Sequence, residues 1–140
     1  MVPKVLLALS PSKRERLLPI LRDQGFDIHL ALGFQDAVRV LTVSPGFDLL
    51  LVDAELPDGS WRNLLAFIQN SGLACEMIVC SRLGDHALWA EAIQTGAYDL
   101  IAEPFEQQEV SRIANNAIAS RYMRRFTSSN AVGALGQNPF

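Results

Sequence analysis

Several signals that would assign a class outright are missing from this chain. There are two cysteines, Cys75 and Cys80, without C-x-x-C spacing and without a histidine pair beside them. Neither a disulfide framework nor a zinc site is therefore expected, and both thiols read as reduced and buried, as in a cytoplasmic protein. No apolar run approaches the roughly 20 residues of a membrane span. The short run Val5 to Leu9 follows Lys4 and is succeeded by acids and bases, which suits a first strand and not a secretory signal. Charge is sparse at 19%, and the net value of −3 gives no electrostatic basis for holding nucleic acid. There is no G-x-G-x-x-G, no P-loop and no G-x-S-x-G, which leaves a small α/β enzyme or nucleotide binder, the reading from another class, with little support. No repeat of about 20 to 50 residues is present.

What the chain does have is apolar residues, 49% of 140, enough for the core of one domain. The stretch from Phe47 to Gly59 organises the rest. Leu49 to Val52 is an apolar run too short for a buried helix, bounded by Pro45-Gly46, and reads as a strand covered on both faces. It stops on Asp53. A loop with Pro57 and Gly59 follows, and Ser60 then caps a helix. An acid at the carboxyl end of a central parallel strand sits where open α/β sheets place their chemistry. The strand alone leaves open a plainer role, in which Asp53 merely ends it and begins a turn.

In chain order, Lys4 to Leu9 is the first strand. Ser10 caps a helix with Pro11 at its first position, running to about Gln24 with Leu17, Leu18, Ile20 and Leu21 inward and a bend expected at Pro19. Gly25 closes it. Phe26 to Ala31 is a second strand, with His29 as a surface residue, and Gln35 to about Thr42 a second helix. After the strand ending at Asp53 come a helix to about Asn70, a buried strand from Glu76 ending at Ser81, and the loop Arg82-Leu83-Gly84-Asp85. A fourth helix then spans about His86 to Thr95, a fifth strand Tyr98 to Ala102, and a fifth helix about Glu106 to Tyr122 or a little beyond. Ile113, Ala114, Ala117 and Ile118 are expected to face the sheet, and Arg121, Arg124 and Arg125 to complement the helix dipole at its far end. From Thr127 onward no periodic face remains. The chain is thus divided into a domain of residues 1–126 and a tail of residues 127–140.

Alternating strands and helices imply a three-layer α/β sandwich with right-handed crossovers. The carboxyl ends of the first, third, fourth and fifth strands then share a rim, bringing together Ala8-Leu9, Asp53, Ser81 and Glu103.

Over about residues 3 to 125 the sequence resembles the receiver domain of two-component response regulators, the group that includes the chemotaxis-type regulators. The likeness rests on Asp53-Ala-Glu-Leu-Pro57-Asp-Gly59, on Ser81 before Gly96-Ala97-Tyr98-Asp99, on Pro104-Phe105, and on the spacing from Pro11 to Gly25. It implies a flavodoxin-like sheet of order 2-1-3-4-5. It also implies Asp53 as phosphoacceptor for a sensor histidine kinase and Ser81 as the hydroxyl that contacts the phosphoryl group. In the family a magnesium ion is held by two acids after the first strand, by the phosphoacceptor and by a carbonyl two residues on, and a lysine ends the fifth strand.

Here the acid positions are Ala8 and Leu9, the lysine position is Glu103, and the usually aromatic switch position is Leu100. Of the magnesium ligands that the resemblance implies, Asp53 and the carbonyl of Glu55 remain. Asp53 and Glu103 could together hold an ion displaced toward Glu103, but the expectation is that Glu103 bonds a nearby main-chain group or simply faces solvent. With Asp53 and Glu103 counted alone, the rim carries −2. A phosphoryl group on Asp53 would meet Glu103 at roughly 4 kcal/mol for a unit pair ~4 Å apart at an effective dielectric of ~20. That corresponds to about three powers of ten. Three expectations follow: a receiver with a degenerate phosphorylation site that acts by protein–protein contact, a working phosphoacceptor with weak or unusual magnesium dependence, or, from the other class, the small enzyme. The resemblance also implies a partner or homodimer face on the fourth helix, fifth strand and fifth helix, and a bond before Pro104 that is cis. Only the tail follows the fifth helix, so the chain reads as a single-domain regulator or as part of a longer one.

Overall fold

Every residue of the run Leu49-Leu50-Leu51-Val52-Asp53 is buried, as a strand sandwiched between two helical layers requires. The computed structural model describes residues 2–82 and 85–135, with side chains as far as residue 123. The elements in order are β1 (Lys4–Ala8), α1 (Pro11–Asp23), β2 (Asp27–Leu30), α2 (Phe34–Val43), β3 (Leu49–Asp53), β4 (Glu55–Leu56) and β5 (Gly59–Ser60). They continue with α3 (Trp61–Asn70), β6 (Glu76–Ser81), α4 (His86–Thr95), β7 (Asp99–Ala102) and α5 (Gln107–Leu135). The main sheet has five parallel strands in the order β2-β1-β3-β6-β7. This is the expected 2-1-3-4-5 arrangement. The additional pair β4 and β5 is a short antiparallel hairpin inside the loop after Asp53, which the sequence had read as loop.

Alternation along the strands feeds two cores. Leu6, Ala8, Leu50 and Val52 face one side and pack with α2, α3 and α4 residues including Leu41, Trp61, Leu64 and Ala92. Val5, Leu7, Leu49 and Leu51 face the other and pack with Leu17 and Leu21 of α1 and with Val110, Ile113, Ala114, Ala117 and Ile118 of α5. Trp61, fully buried, is the largest of these side chains. Gly25 (φ 75°) follows α1 in the left-handed conformation that a residue with a Cβ adopts only at a cost. The Glu103–Pro104 bond is cis, as expected. Cys75 and Cys80 are both buried.

Two expectations about α5 change. The helix continues to Leu135, so residues 127–135 of the expected tail are helical, while residues 136–140 lie outside the described residues. The segment offers no proline before Pro139 to stop the helix, and lack of an apolar face does not itself prevent an exposed helix from continuing. Arg121 is consequently not a cation in the last turn. It is buried mid-helix, with Nη1 3.2 Å from Asp48 Oδ1 below the amino edge of the sheet. Asp48 also accepts from the Lys4 main-chain N–H at 2.8 Å, and a buried carboxylate needs such a counter-charge. The side chains of Arg124 and Arg125, and residues Leu83 and Gly84 of the expected loop, lie outside the described residues.

Candidate functional site

β3 delivers Asp53 to the carboxyl edge of the sheet, level with Cys80 of β6, and only 4% of it is exposed. The chain leaves β1 at Ala8 and turns into α1 within two residues. Ser10 caps that helix, its hydroxyl accepting from the Lys13 main-chain N–H at 3.4 Å, with Pro11 opening the first turn. Side chains on a helix lean toward its amino end. Lys13, in the first turn of α1, therefore projects back over the rim of the sheet.

That projection forms the centre of the site. Lys13 Nζ lies 3.0 Å from Asp53 Oδ1 and 3.1 Å from Oδ2, spanning the carboxylate. The Ser10 main-chain N–H donates to Oδ2 at 3.1 Å and that of Glu55 to Oδ1 at 3.2 Å. Each carboxylate oxygen thus accepts two hydrogen bonds. The two side chains are 7% and 5% exposed, so this is a buried ion pair. Lysine is seldom buried to this degree unless paired.

The other expected residues fall around this pair. Ser81 is buried at the end of β6, and its carbonyl accepts from the Glu103 N–H at 3.0 Å. Glu103 joins the same crevice, which Ser10, Ser12, Lys13, Asp53, Glu55 and Arg82 also line. Arg16 Nη1 stands 3.7 Å from Glu103 Oε2. Ala8 and Leu9 are buried, one in each core, and offer the crevice no side-chain oxygen. Leu100 is half-buried against the core that contains Trp61. Glu55 is exposed and contributes its main-chain N–H to Asp53.

The charge count made on Asp53 and Glu103 alone is corrected by these positions. Each carboxylate has its own cation, Lys13 for Asp53 and Arg16 for Glu103. The count of −2 omitted both because it considered only strand ends, whereas both cations come from α1. The expectation that Glu103 bonds a main-chain group or simply faces solvent is replaced by the pair with Arg16, its side chain being 22% exposed. A nearby cation lowers the repulsion that Glu103 alone would exert, though Arg16 is an exposed, weakly held partner.

Lys13 is the functional residue that sequence reasoning missed. Its signal was present: a lysine three residues after a Ser-Pro helix start, at the rim where the acids would stand.

The resemblance implies a magnesium ion at this rim. Magnesium demands near-octahedral oxygen coordination and surrenders water reluctantly. Among the described residues no group of three or more Asp, Glu, His or Cys is arranged to hold a metal. The acid positions are apolar, and both oxygens of Asp53 already face an ammonium. The side chains present do not fit the ion.

Burial pushes the Cys80 thiol well above its ordinary range, with the adjacent Asp53 charge adding to the shift and Lys13 opposing it. Cys80 is therefore no nucleophile for this crevice. Outside it, Asp58 of the β4–β5 turn receives the Phe34 and Gln35 main-chain N–H groups at 2.6 and 3.0 Å. It thereby caps α2, whose own cap position is Gly33.

The layering, strand order and acid-bearing rim define a flavodoxin-like three-layer α/β domain. A crystal structure of the signal receiver domain of a putative Luxo repressor protein from Vibrio parahaemolyticus superposes with a TM-score of 0.82 at 23% identity, covering 91% of this chain and 98% of that one. Residues 10–115 match the response regulator receiver domain family, and the chain belongs to that family. It is a receiver domain of two-component signalling. It is 28% identical over 107 residues to the chemotaxis protein CheY of Bacillus subtilis, covering 75% of this chain and 88% of CheY. It is also 28% identical over 129 residues to the response regulator protein PilR of Pseudomonas aeruginosa, covering 92% of this chain but 29% of PilR.

Proposed function

We propose that this receiver domain works as a protein-binding module whose phosphorylation site is degenerate, so that its signalling state is set by its partners and not by a regulated phosphoryl group on Asp53. The observation that carries the proposal is the saturation of the Asp53 carboxylate by Lys13 and two main-chain N–H groups. An aspartate that attacks phosphorus needs a free lone pair, and the incoming oxygens need cations that are not already committed. Asp53 would have to break from Lys13 before it could react. In this reading the domain is not an enzyme and Ser81 has no phosphoryl oxygen to contact.

Its partner is a sensor histidine kinase or a downstream signalling protein in the cytoplasm, with neither nucleic acid nor membrane as its target. The face of α4, β7 and α5 serves for that contact or for a homodimer. On α4, Trp89 is 47% and Ile93 37% exposed, which suits such a contact. The net charge of −3 and the lack, among the described residues, of a helix able to cross a membrane are consistent with this choice of partner.

The test is incubation of the protein with a small phosphodonor and magnesium, followed by intact mass. No adduct is expected. A single species heavier by about 80 Da, abolished by Asp53→Asn, would instead establish a working phosphoacceptor.

A further inference from the structure

We infer that the crevice at Asp53 takes no divalent cation because Lys13 is its resident one. The inference rests on the crevice being the phosphorylation site of a receiver domain, as proposed above. It concerns a different property, cation binding, which is measurable whether or not Asp53 is ever phosphorylated.

Three observations support it. First, Nζ sits 3.0 and 3.1 Å from the two oxygens of Asp53, on the carboxylate itself, where a metal ion would have to bind. Second, Lys13 is only 6% exposed, and the first turn of α1 that carries it is tied down by the Ser10 cap, so the ammonium has little freedom to swing aside. Third, the remaining acids cannot compensate. Glu103 stands 3.7 Å from Arg16, and the positions where an acid pair would complete the coordination are the apolar Ala8 and Leu9. A dication entering this space would meet a fixed positive charge within a few ångströms, and its repulsion would be twice that of a monovalent ion at the same distance.

A tethered ammonium differs from a metal ion in one respect that matters to signalling. Its occupancy does not depend on cation concentration, and no chelator removes it. The ion pair at Asp53 therefore does not vary with magnesium concentration, and binding of partner proteins is insensitive to magnesium and to chelation.

The test is titration of the full chain with Mn²⁺, following free metal by electron paramagnetic resonance. Wild type, Asp53→Asn, Lys13→Met and Lys13→Met/Asp53→Asn are compared, each checked for folding by circular dichroism. Methionine retains the length of the lysine stem without the charge, and Lys13→Gln serves if the methionine variant does not fold. Wild type is expected to leave the Mn²⁺ signal at the buffer level. The lysine variant is expected to bind at least ~tenfold more tightly, and the double variant to lose that gain. Wild-type binding that disappears in Asp53→Asn overturns the inference, as does a folded lysine variant that binds no better than wild type. A mass adduct that forms equally with and without chelator would defeat the degenerate-site reading while supporting a metal-free crevice. Wild-type Mn²⁺ binding without any adduct would do the reverse.

Discussion

Replacing Lys13 by methionine is expected to expose how strongly the ion pair holds the rim together. The perturbation removes one charge and leaves Asp53, 5% exposed at its side chain, with only the N–H groups of Ser10 and Glu55 as donors. A unit pair about 3 Å apart at an effective dielectric of ~20 interacts by roughly 5 kcal/mol. Breaking one side of a buried pair destabilises by about 3–5 kcal/mol, because the orphaned charge stays desolvated. For a domain of this size that corresponds to a fall in Tm of about 10–15 °C. Asp53→Asn is expected to act similarly, since it strands the ammonium. The double variant, with both charges gone, should recover much of the loss. The assay is urea unfolding of the four proteins as a double-mutant cycle; single losses of about 3–5 kcal/mol each and a double-variant loss of about 2 kcal/mol or less give an expected coupling of about 4 kcal/mol or more. If the two single losses add to within about 0.5 kcal/mol, or if Lys13→Met is neutral while Asp53→Asn is costly, the lysine contributes only its stem and the proposed electrostatic role fails.

Three further outcomes follow from other parts of the fold. Arg121→Met should destabilise by about 3 kcal/mol in urea unfolding, because it leaves buried Asp48 with the Lys4 N–H but no cation 3.2 Å away. The carboxyl of Asp58 is held below the ordinary carboxylate range, first by the N–H of Gln35 and then by that of Phe34. A group whose folded pKa is depressed stabilises above its unfolded value, and that contribution is lost as pH falls through the folded value. The protection factors of the amides at the start of α2, corrected for the intrinsic pH dependence of exchange, should therefore fall on acidification in wild type, while Asp58→Ala should show low protection already at neutral pH. Cys80, with its thiol pKa raised by burial, should resist iodoacetamide at pH ~8 in the native protein and react after unfolding in urea, with alkylation read by peptide mass.

The sheet was legible because its signals are local and redundant. Leu49 to Val52 is buried on both faces and reads as one apolar run, while Ser10-Pro11 and Ser60 announce helix starts by backbone chemistry that does not depend on tertiary context. Asp53, Ser81 and Glu103 could be brought to one rim from topology alone, since the carboxyl ends of parallel strands must coincide there. Lys13 and Arg16 could not be assigned in the same way. They lie on a helix, among Lys13-Arg14-Glu15-Arg16, a run that reads as solvated unless its spacing to the inward residues is used: Lys13 stands four and eight positions before Leu17 and Leu21. Which of them turns inward depends on the rotation of α1, set by Leu17 and Leu21 packing into the core. Arg121 failed to be read correctly for a related reason. Its burial against Asp48 joins residues 73 positions apart, and only the assembled fold shows that the helix passes beyond it.

The location of the cation bears on how such a domain can signal. Where acids gather a mobile ion, the charge on a phosphoacceptor is balanced by something that can arrive, reorganise and leave. Here the balancing charge is covalently part of α1, and its partner carboxylate is part of β3. The pair therefore joins two elements whose hydrophobic packing already fixes their separation, through Leu17 and Leu21 against Leu49 and Leu51. Small displacements of Asp53 relative to α1 would work against both the ion pair and the core, so the rim is stiff where a phosphorylated switch would need it to give. A domain with a stiff rim can still report on its surroundings, but the free energy for doing so must enter elsewhere. Under the proposed function, binding at the exposed Trp89 and Ile93 of α4 would meet that requirement without disturbing Asp53. Ala92, next to Ile93 in sequence, is wholly buried in the same core as Trp61, so a partner that shifted α4 would, under that proposal, act on packing directly, with no phosphoryl group as intermediary.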